Sequence, residues 1–446
     1  MTPTRDALLG MCAEGVRQAV DVGAYQVEIF ADSTHRTKAT LQNDDLSEVE
    51  ISQNAQFGIR VVTADGQSGF ATTTRPDTLR VTAEEAIAMA RSGPADPLRS
   101  LAEPRPIADV PDAVDPMLLD ISPQALTEQA AGVLVNIRDI DERIRVERGN
   151  LEIESYTVAI VSSTGVQGSW RGADVSFSLM GMAIDGDDIG TLTADYGRLR
   201  RARALPDLIH RIQHRFAETC LSSLNVRRGE SARCAIVLAP QALSQLMLRP
   251  LMRALSARQV REGRSPFVGK MDTIVAAAGV DLIEMGAQPT EFPLTPFDRE
   301  GMPRQQRPLI ADGALRGYLW SDYEARAANV DVVGNTQGSA LGPPMIGPLG
   351  FTLNGPILDV FADGPVLLVQ RFSGSTDAVS GDFSGVVKSG LMVHGDERVP
   401  VSAITIAGNL FDCLKTISGV SSHRQVLGGV ADLPFVRVED VSITAG

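Results

Sequence analysis

The sequence is poor in the residues that build metal centres, disulfide frameworks and aromatic cores. Its 446 residues include five His, four Cys, 14 Phe, five Tyr and two Trp. A zinc hydrolase usually spends two or three histidines on its metal, so each of these five can be inspected in turn. The cysteines are far apart and form no C-x-x-C motif, which predicts reduced, buried thiols rather than a disulfide framework. Ala, Val, Leu and Ile are expected to supply most of the core packing.

Basic residues are also fewer than acidic residues. The chain has 41 basic and 55 acidic residues, for a net charge of −14. This balance disfavours a free-standing nucleic-acid binder, which needs clustered Lys and Arg against phosphates. The N-terminus lacks the pattern of a signal peptide, and no apolar run approaches the roughly 18 residues of a membrane span. The sequence therefore predicts a soluble, cytoplasmic protein that binds neither nucleic acid nor membrane.

Hydrophobic periodicity predicts an α+β protein. At roughly 150 residues per domain, the length favours two or three domains. A helix, an antiparallel meander and a second helix occur early in the chain, and the same order recurs after a segment that has six prolines within residues 94–116. Proline suits neither helix interiors nor central strands, so this segment predicts a linker lying over the surface. The predicted parts are an N-terminal α+β unit (1–93), a Pro-rich linker (94–121), a central α+β unit (122–226) and a mostly antiparallel, β-rich C-terminal domain (227–446).

Capping patterns suggest where helices begin. Thr2 and Pro3 have the residue types of an N-cap and a first helical residue, and the helix is expected to end near Val20. Thr82 with Glu85 resembles a capping box. Between these helices the strand-like runs lie near 25–31, 36–42, 46–52, 58–63 and 68–74.

In the C-terminal part, an apolar run predicts a buried strand at Ala232–Leu238. A helix is expected from Pro240 to about Gln259, with a kink or break at Pro250. The Gly- and Pro-rich segment 338–355 predicts a long loop. Further short strands are expected at 307–311, 314–320, 365–371, 391–394, 398–407 and 435–443.

Familiar catalytic motifs are missing. The run Gly381–Gly385 has the wrong spacing for a G-x-S-x-G nucleophile elbow, and no nucleotide-binding glycine motif occurs. His210 and His214 share a helix face, but Arg211 and Arg215 lie beside them, so a solvated face is favoured over a metal site. Arg198, Arg200, Arg201 and Arg203 form a short basic cluster, which favours a local ion-pairing surface. From the residues alone, the chain is a soluble, acidic, multi-domain α+β protein without evident catalytic machinery.

Four stretches, in order and in register, nevertheless resemble the TldD/PmbA family, and within it the PmbA (TldE) branch. The resemblance covers the chain from about residue 25 to the C-terminus. It is carried by 27–30, 58–61 and 69–72; by 297–303 and 309–313; by 317–319, 323–325 and 334–335; and by 372–374, 381–384 and 404–410.

The resemblance implies an α+β fold with a C-terminal β domain of this family's type, and a peptidase system that acts on unfolded peptides. It also implies two kinds of subunit. TldD-type members bind zinc through an H-E-x-x-x-H helix and a C-terminal cysteine, whereas PmbA-type members lack this motif and pair with a TldD-type subunit.

The positions of the zinc motif can be located by this resemblance. Residues 261–267 look like the segment that follows the zinc helix, which puts the motif at 248–253. Leu248 then replaces the first histidine, Arg249 the glutamate and Arg253 the second histidine. Leucine cannot ligate zinc, and two guanidiniums repel it. The C-terminal cysteine is also replaced, since residues 420–423 are Val-Ser-Ser-His. No metal is therefore expected on this chain, and zinc is expected on a TldD-type partner.

The leading hypothesis is a non-catalytic TldE/PmbA-like subunit of a heteromeric zinc peptidase, expected to be a heterodimer, that proteolyses unfolded or precursor peptides. Leader-peptide removal is one such task. No residue of this chain is assigned a catalytic role; it would help to form the chamber and hold the peptide by strand addition. Candidate lining residues are Asn335, Ser373, Gly374, Asp382, Ser384 and His423, with Arg249 and Arg253 at the vestigial motif. Turns and caps also favour these residue types.

Two alternatives remain open. One is an independent, metal-free hydrolase that uses Ser384, His423 and Asp382. The other is a peptide-binding chaperone or carrier that does not cleave.

Overall fold

Two large β-sheets organise the protein, which is described by a computed structural model for residues 3–286, 295–331, 334–348, 350–428 and 431–446. Within these residues one sheet has seven strands, another has twelve, and a separate hairpin has two. Most neighbouring strands run antiparallel and helices pack against them, so the predicted α+β class is confirmed.

The first part of the chain supplies the seven-stranded sheet and its helices. The elements are α1 (Arg5–Asp21), β1 (Gln26–Gln42), β2 (Asp45–Val62), β3 (Ser68–Thr73), α2 (Leu79–Arg91), α3 (Pro116–Leu119), α4 (Pro123–Ile140), β4 (Ile144–Ser162), β5 (Gln167–Asp185), β6 (Asp188–Ile189), β7 (Thr193–Leu199) and α5 (Leu205–Leu221).

The two helix–meander units share this one sheet. Its order is β3-β2-β1-β4-β5-β6, with β7 also paired to β5. The join is the antiparallel pair β1–β4, which runs from Glu28 opposite Ser162 to Gln42 opposite Arg148. Strands β1 and β2 are continuous, so the predicted breaks near 32–35 and 53–57 were wrong. Polar residues such as Ser33 and Thr37 are buried between neighbouring strands and continue the ladder where apolar alternation stops. The domain boundaries stay a prediction.

The helix starts differ from the capping predictions. Thr2 lies outside the described residues, and the N-cap of α1 is Thr4, whose Oγ1 accepts a hydrogen bond from Ala7 N at 3.2 Å. Thr82 lies inside α2 and donates to Thr78 O at 3.0 Å, so it is not a cap. A side chain that bonds back to the preceding turn is as typical of threonine within a helix as of threonine at its start.

The Pro-rich segment has little regular structure, as predicted, but it is not confined to the surface. Leu101 and Ala102 are buried. Leu101 N donates to Gln26 Oε1 at 2.8 Å, and Ala102 O accepts from Thr164 Oγ1 at 2.7 Å. These bonds satisfy buried backbone groups and tie the segment to one end of the β1–β4 pair, where Glu28 lies opposite Ser162.

The remaining chain supplies the twelve-stranded sheet and the hairpin. The elements are β8 (Arg227–Arg228), β9 (Ala232–Leu238), α6 (Pro240–Leu243), α7 (Arg249–Ala254), α8 (Ala257–Arg261), β10 (Asp281–Glu284), β11 (Arg307–Ala311), β12 (Ala314–Leu315), α9 (Asp322–Ala328), β13 (Thr336–Gln337), β14 (Met345–Ile346), β15 (Phe351–Asn354), β16 (Val366–Thr376), β17 (Asp382–His394), β18 (Glu397–Ser402), β19 (Ile404–Asn409), α10 (Leu410–Lys415), β20 (Ile417–Leu427) and β21 (Ala431–Ala445).

The helix predicted from Pro240 to Gln259 is broken, as its internal proline indicated. A π-helical segment, Ser244–Leu248, separates α6 from α7, and Arg249 N donates across it to Ser244 O. Pro250 has no N–H to continue the α-helical ladder, and the wider turn lies directly before it. The chain therefore reaches Arg249 with altered helical phase.

Other C-terminal predictions need correction. The expected strand 314–320 covers only Ala314–Leu315, and 398–407 is split by Ala403, whose φ is 54°. The predicted loop 338–355 contains β14 and β15, because Met345–Ile346 pairs with β13 and Phe351–Asn354 joins the large sheet. His423 lies within β20 rather than in a loop.

The core is mainly aliphatic, as predicted. The largest apolar cluster lies between the twelve-stranded sheet and helices α6 to α8. All four cysteines are free; Cys12, Cys220 and Cys413 are buried, and burial raises the pKa of each to about 12, whereas Cys234 is half-buried. Among the described helices, none combines the length and apolar character that crossing a bilayer requires.

Alanine substitutions at two glycines should change the unfolding free energy in opposite directions. A Cβ on Gly69 of β3 would lie 2.1 Å from Ala86 O and 2.5 Å from Ala90 N on α2. Gly69→Ala should therefore lower the unfolding free energy by about 1–3 kcal/mol. Gly132, inside α4, has open space around the same position. Gly132→Ala should raise the unfolding free energy by up to about 1 kcal/mol, because alanine is the better helix former.

The measurement is the thermal or urea unfolding midpoint of the two variants beside the unaltered chain. Shifts of opposite sign are expected. A midpoint of Gly69→Ala at or above that of the unaltered chain would contradict the close approach of β3 to α2.

Candidate functional site

Four charged side chains form a buried cluster between the two sheets. Glu28 comes from β1 and Arg60 from β2, whereas Arg299 and Glu300 precede β11. Arg60 Nη2 lies 2.6 Å from Glu28 Oε2, and its Nη1 lies 3.0 Å from Glu300 Oε1. Arg299 Nη1 lies 3.1 Å from Glu28 Oε1, and its guanidinium lies 4.0 Å from the centre of the Phe30 ring. Two carboxylates balance two guanidiniums, as burial of charge requires.

A tight turn holds Arg299 and Glu300 in place. The buried Asp298 carboxylate accepts hydrogen bonds from Glu300 N at 2.8 Å, Met302 N at 2.9 Å and Thr336 Oγ1 at 2.7 Å. Burial, and then the nearby Glu300, raise the pKa of Asp298, while these donors oppose the rise. Gly301 has a φ of 75°, and a Cβ there would lie 2.3 Å from Val166 Cγ1. The segment 297–303 therefore packs tightly against the N-terminal sheet and holds Arg299 and Glu300 in place.

Asn335, predicted to line the peptide site, is buried in a second polar network. Its Oδ1 accepts a hydrogen bond from Trp320 N at 2.8 Å and another from Arg307. Its Nδ2 donates to Glu284, whose Oε2 lies 2.8 Å from Arg307 Nε. With 1% of its surface exposed, Asn335 fixes the start of β13 and has little surface to offer a ligand.

A cleft of about 1000 Å³ opens beside the buried charge cluster. We call it the arginine cleft. Its walls come from the N-terminal sheet, from α7 and α8, from the start of α9 and from the segment 343–348. Its charged lining consists of six arginines and two glutamates, namely Arg60, Arg99, Arg249, Arg253, Arg258, Arg261, Glu300 and Glu324.

Two of the three positions that the resemblance assigns to the zinc motif line this cleft. Leu248 is buried in the core, whereas Arg249 and Arg253 are exposed one helical turn apart and line the cleft wall. Neither guanidinium forms a hydrogen bond or a salt bridge with another described residue, although Asp377 lies close enough to Arg253 for a Coulombic interaction. No group of three or more His, Cys, Asp and Glu within those residues could hold a metal ion. Aliphatic and guanidinium side chains are not zinc ligands, so the residues at these positions do not fit a zinc ion.

Pairing leaves the cleft with surplus positive charge. Both of its glutamates are engaged, Glu300 with Arg60 and Glu324 with Arg261, whose Nε lies 2.7 Å from Glu324 Oε2. The guanidinium of Arg261 also stacks over Tyr323, 5.6 Å from the ring centre. Sequence reasoning did not identify Arg60, Arg261 or Tyr323 as members of a site.

Four other predicted residues lie on the β16–β17 hairpin. Ser373, Gly374, Asp382 and Ser384 are exposed, and none of them lines the arginine cleft. Asp382 accepts a hydrogen bond from Asn409 Nδ2 at 2.9 Å, which fixes the start of α10.

His423 lies in a different place from these four residues. It lines a second cavity, of about 640 Å³, together with residues 110–115 and 196–201 and with part of α5, and its ring centre is 6.0 Å from that of Phe435. Neither Ser384 nor Asp382 lines this cavity. The structure therefore does not bring the proposed Ser384, His423 and Asp382 set together.

His210 and His214 do approach each other on α5, with ring centres 4.2 Å apart, but they are exposed beside arginines.

Comparisons with known proteins extend this description. Models of the PmbA/TldA metallopeptidase C-terminal domain and of PmbA/TldA metallopeptidase domain 1 match residues 231–445 and 27–90. Metalloprotease PmbA from Escherichia coli O157:H7 is 24% identical over 423 residues, which cover 92% of this chain and 91% of that protein. A metalloprotease from Methanothermobacter thermautotrophicus is 26% identical over 411 residues, or 87% and 86%. The crystal structure of TldE from Thermococcus kodakarensis matches with a TM-score of 0.87 and 21% identity, covering 98% of this chain and 100% of that chain, and so shares the fold.

The buried charge cluster predicts a large effect of one substitution. Glu28→Gln keeps the side-chain size but leaves Arg60 and Arg299 with only one carboxylate between them. Breaking a buried ion pair in this way costs about 3–5 kcal/mol. Urea unfolding of the full chain should show this loss.

The matched control is Glu84→Gln on α2, where an exposed Glu84 lies 3.6 Å from Arg80. Exposed pairs contribute at most about 1 kcal/mol, so this variant should unfold nearly as the unaltered chain does. Equal midpoints for the two variants would contradict a central role for the cluster.

Proposed function

Because this chain belongs to the PmbA/TldD metallopeptidase family, we propose that it is a non-catalytic TldE/PmbA-type subunit of a heteromeric zinc peptidase. In this proposal a TldD-type partner supplies the zinc ion and the general base. The two chains form a heterodimer in the cytoplasm that cleaves unfolded or precursor peptides, leader peptides among them. This chain closes the chamber and holds the peptide.

The observation that carries the proposal is which residues occupy the positions that the resemblance assigns to the zinc motif. The helix that would present metal ligands presents Arg249 and Arg253 instead, and Leu248 points into the core. A bound divalent cation would meet two positive charges and no carboxylate, imidazole or thiolate at these positions. A chain of this family without ligands there needs another chain for metal chemistry.

The arginine cleft supports a role in holding peptides. Strands β13 and β14 pair only with each other within the described residues, and Gln337, Met345 and Ile346 of this hairpin line the cleft.

The outer edge of β13 is occupied, because Thr336 O accepts a hydrogen bond from Arg299 N at 3.1 Å and Thr336 N donates to Asp298 Oδ2 at 3.0 Å. The edge of β14 is therefore the one to which an extended peptide can add. Because such bonds use the backbone, they tolerate many peptide sequences. The unpaired guanidiniums of Arg249 and Arg253 add attraction for peptide carboxylates.

The proposal is tested by co-expressing this chain with a TldD-type protein, then measuring co-purification, metal content and cleavage of an unfolded peptide. The expected result is a stable complex with one zinc ion per TldD-type chain and cleavage that a chelator abolishes. This chain purified alone should contain no stoichiometric zinc and should not cleave. Zinc at one ion per chain on this protein alone would refute the proposal, and so would chelator-insensitive cleavage by it.

A second prediction concerns the arginines at the vestigial positions. In the reconstituted complex, the double variant Arg249→Gln/Arg253→Gln should raise KM for a peptide rich in Asp and Glu by about tenfold or more, since a hydrogen bond to a charged group contributes about 1.5–3 kcal/mol. The value of kcat and the zinc content should stay unchanged, because only uniform binding is lost.

Arg264→Gln is the matched control, since Arg264 is exposed nearby and does not line the cleft. It should leave KM unaltered. An equal KM for the double variant and the unaltered complex, across acidic and neutral peptides, would remove the arginine cleft from substrate binding.

A further inference from the structure

The second cavity, which His423 lines, lies between the central unit and the C-terminal domain. One wall is formed by residues 110–115 and another by β7 and the beginning of α5, while residues 423–426 of β20 close the third side. Its volume of about 640 Å³ falls within the range of small-molecule sites and is far larger than one inorganic ion. It shares no lining residue with the arginine cleft.

Positive charge is concentrated here in an otherwise acidic protein. The cavity is lined by Arg198, Arg200, Arg201, Arg211, Arg215 and Arg424, against Asp112 and Asp115. The two aspartates are engaged, since Asp112 lies 3.1 Å from Arg5 and Asp115 accepts a hydrogen bond from Ala202 N at 2.9 Å. Asp115 keeps its negative charge in this bond, so two carboxylates stand against six guanidiniums in the lining.

Three of these arginines have carboxylate partners outside the cavity. Arg198 pairs with the buried Asp174, Arg215 Nε lies 2.8 Å from Asp195, and Arg424 Nε lies 2.9 Å from Asp432. The charges of these three arginines are therefore balanced, and the surplus positive charge of the cavity comes from Arg200, Arg201 and Arg211.

Arg200, Arg201 and Arg211 form no salt bridge among the described residues, although Asp174 interacts with Arg200 at longer range. Arg200 is fixed in position: its Nη2 donates to Tyr156 Oη at 2.7 Å, and its guanidinium lies 5.4 Å from the centre of the Trp170 ring. Its Nη1 is buried without any hydrogen-bond partner. Burial lowers the pKa of Arg200, while the nearby Tyr156 and Asp174 oppose this shift. Because Nη1 of Arg200 is inaccessible, direct contact with a ligand falls to the exposed Arg201 and Arg211.

Part of the remaining lining is apolar, and Tyr196, His423 and Gln425 add polar groups. Leu199, Leu208, Ile212 and Val426 face the same space. Convergent cations beside an apolar surface are typical of sites for organic ligands that have one charged group. We propose that this cavity binds a small organic oxyanion, with its phosphate or carboxylate oxygens on Arg201 and Arg211, beside the fixed charge of Arg200, and with its carbon body against the leucines. The proposal does not depend on the proposed peptidase role.

The test is isothermal titration calorimetry on the purified full chain with two probes, inorganic pyrophosphate and citrate. Saturable binding of at least one probe is expected, weakening as salt is raised. The double variant Arg201→Gln/Arg211→Gln should lower its affinity by about tenfold or more, because each lost arginine removes a charge-assisted hydrogen bond. Circular dichroism and the unfolding midpoint check that the variant is folded. Binding of pyrophosphate alone identifies a phosphorylated ligand, and binding of citrate alone identifies a carboxylate.

Two controls separate this cavity from the other basic surfaces. Arg203→Gln changes an exposed arginine of the same segment that does not line the cavity, and Arg249→Gln/Arg253→Gln removes the unpaired charges of the arginine cleft. Both should keep the affinity of the unaltered chain. The proposal is overturned if neither probe binds, if Arg201→Gln/Arg211→Gln binds as the unaltered chain does, or if the arginine-cleft variant loses the same affinity.

Discussion

The buried cluster of Glu28, Arg60, Arg299 and Glu300 is the interaction on which the relative placement of the two sheets depends. Each carboxylate is shared, Glu28 between two arginines and Glu300 between Arg60 and the backbone N–H of Asp322 at 3.0 Å. Since an unpaired charge cannot stay buried, the N-terminal sheet and the segment 297–303 must meet in this one arrangement. Arg60 and Glu300 also line the arginine cleft, so the same contact that joins the units shapes the site.

The α+β class, the strand at Ala232–Leu238 and the helix break at Pro250 could be predicted from the sequence, because each depends on neighbours within a few residues. The single sheet that both helix–meander units share could not. Its join pairs Glu28 with Ser162 and Gln42 with Arg148, more than 100 residues apart, and the central part of β1 is polar. Burial of Ser33 and Thr37 follows from the strands on either side, which local alternation does not reveal.

The candidate site was predictable to a similar extent. Family resemblance located Leu248, Arg249 and Arg253, because helix positions can be counted back from a matching segment. Asn335 and His423 were grouped with them only by residue type; the first is enclosed by Glu284 and Arg307, and the second lines another cavity. One signal was present but unused: a single charge between apolar neighbours, as in Val27-Glu28-Ile29 and Ile59-Arg60-Val61. Charges in that setting are buried in pairs, so they mark contacts between units.

Net charge and local charge have different consequences in this protein. A total of −14 repels polyanions at a distance, yet screening limits that field to about 10 Å at ordinary ionic strength. Inside the two cavities, six lining arginines exceed two lining acids in each case, and a partly enclosed surface screens charge less than bulk water does. In the proposed function, Arg249 and Arg253 occupy positions that the resemblance assigns to metal ligands. The proposed site therefore carries a charge opposite to that of a zinc site, which suits the anionic groups of a peptide.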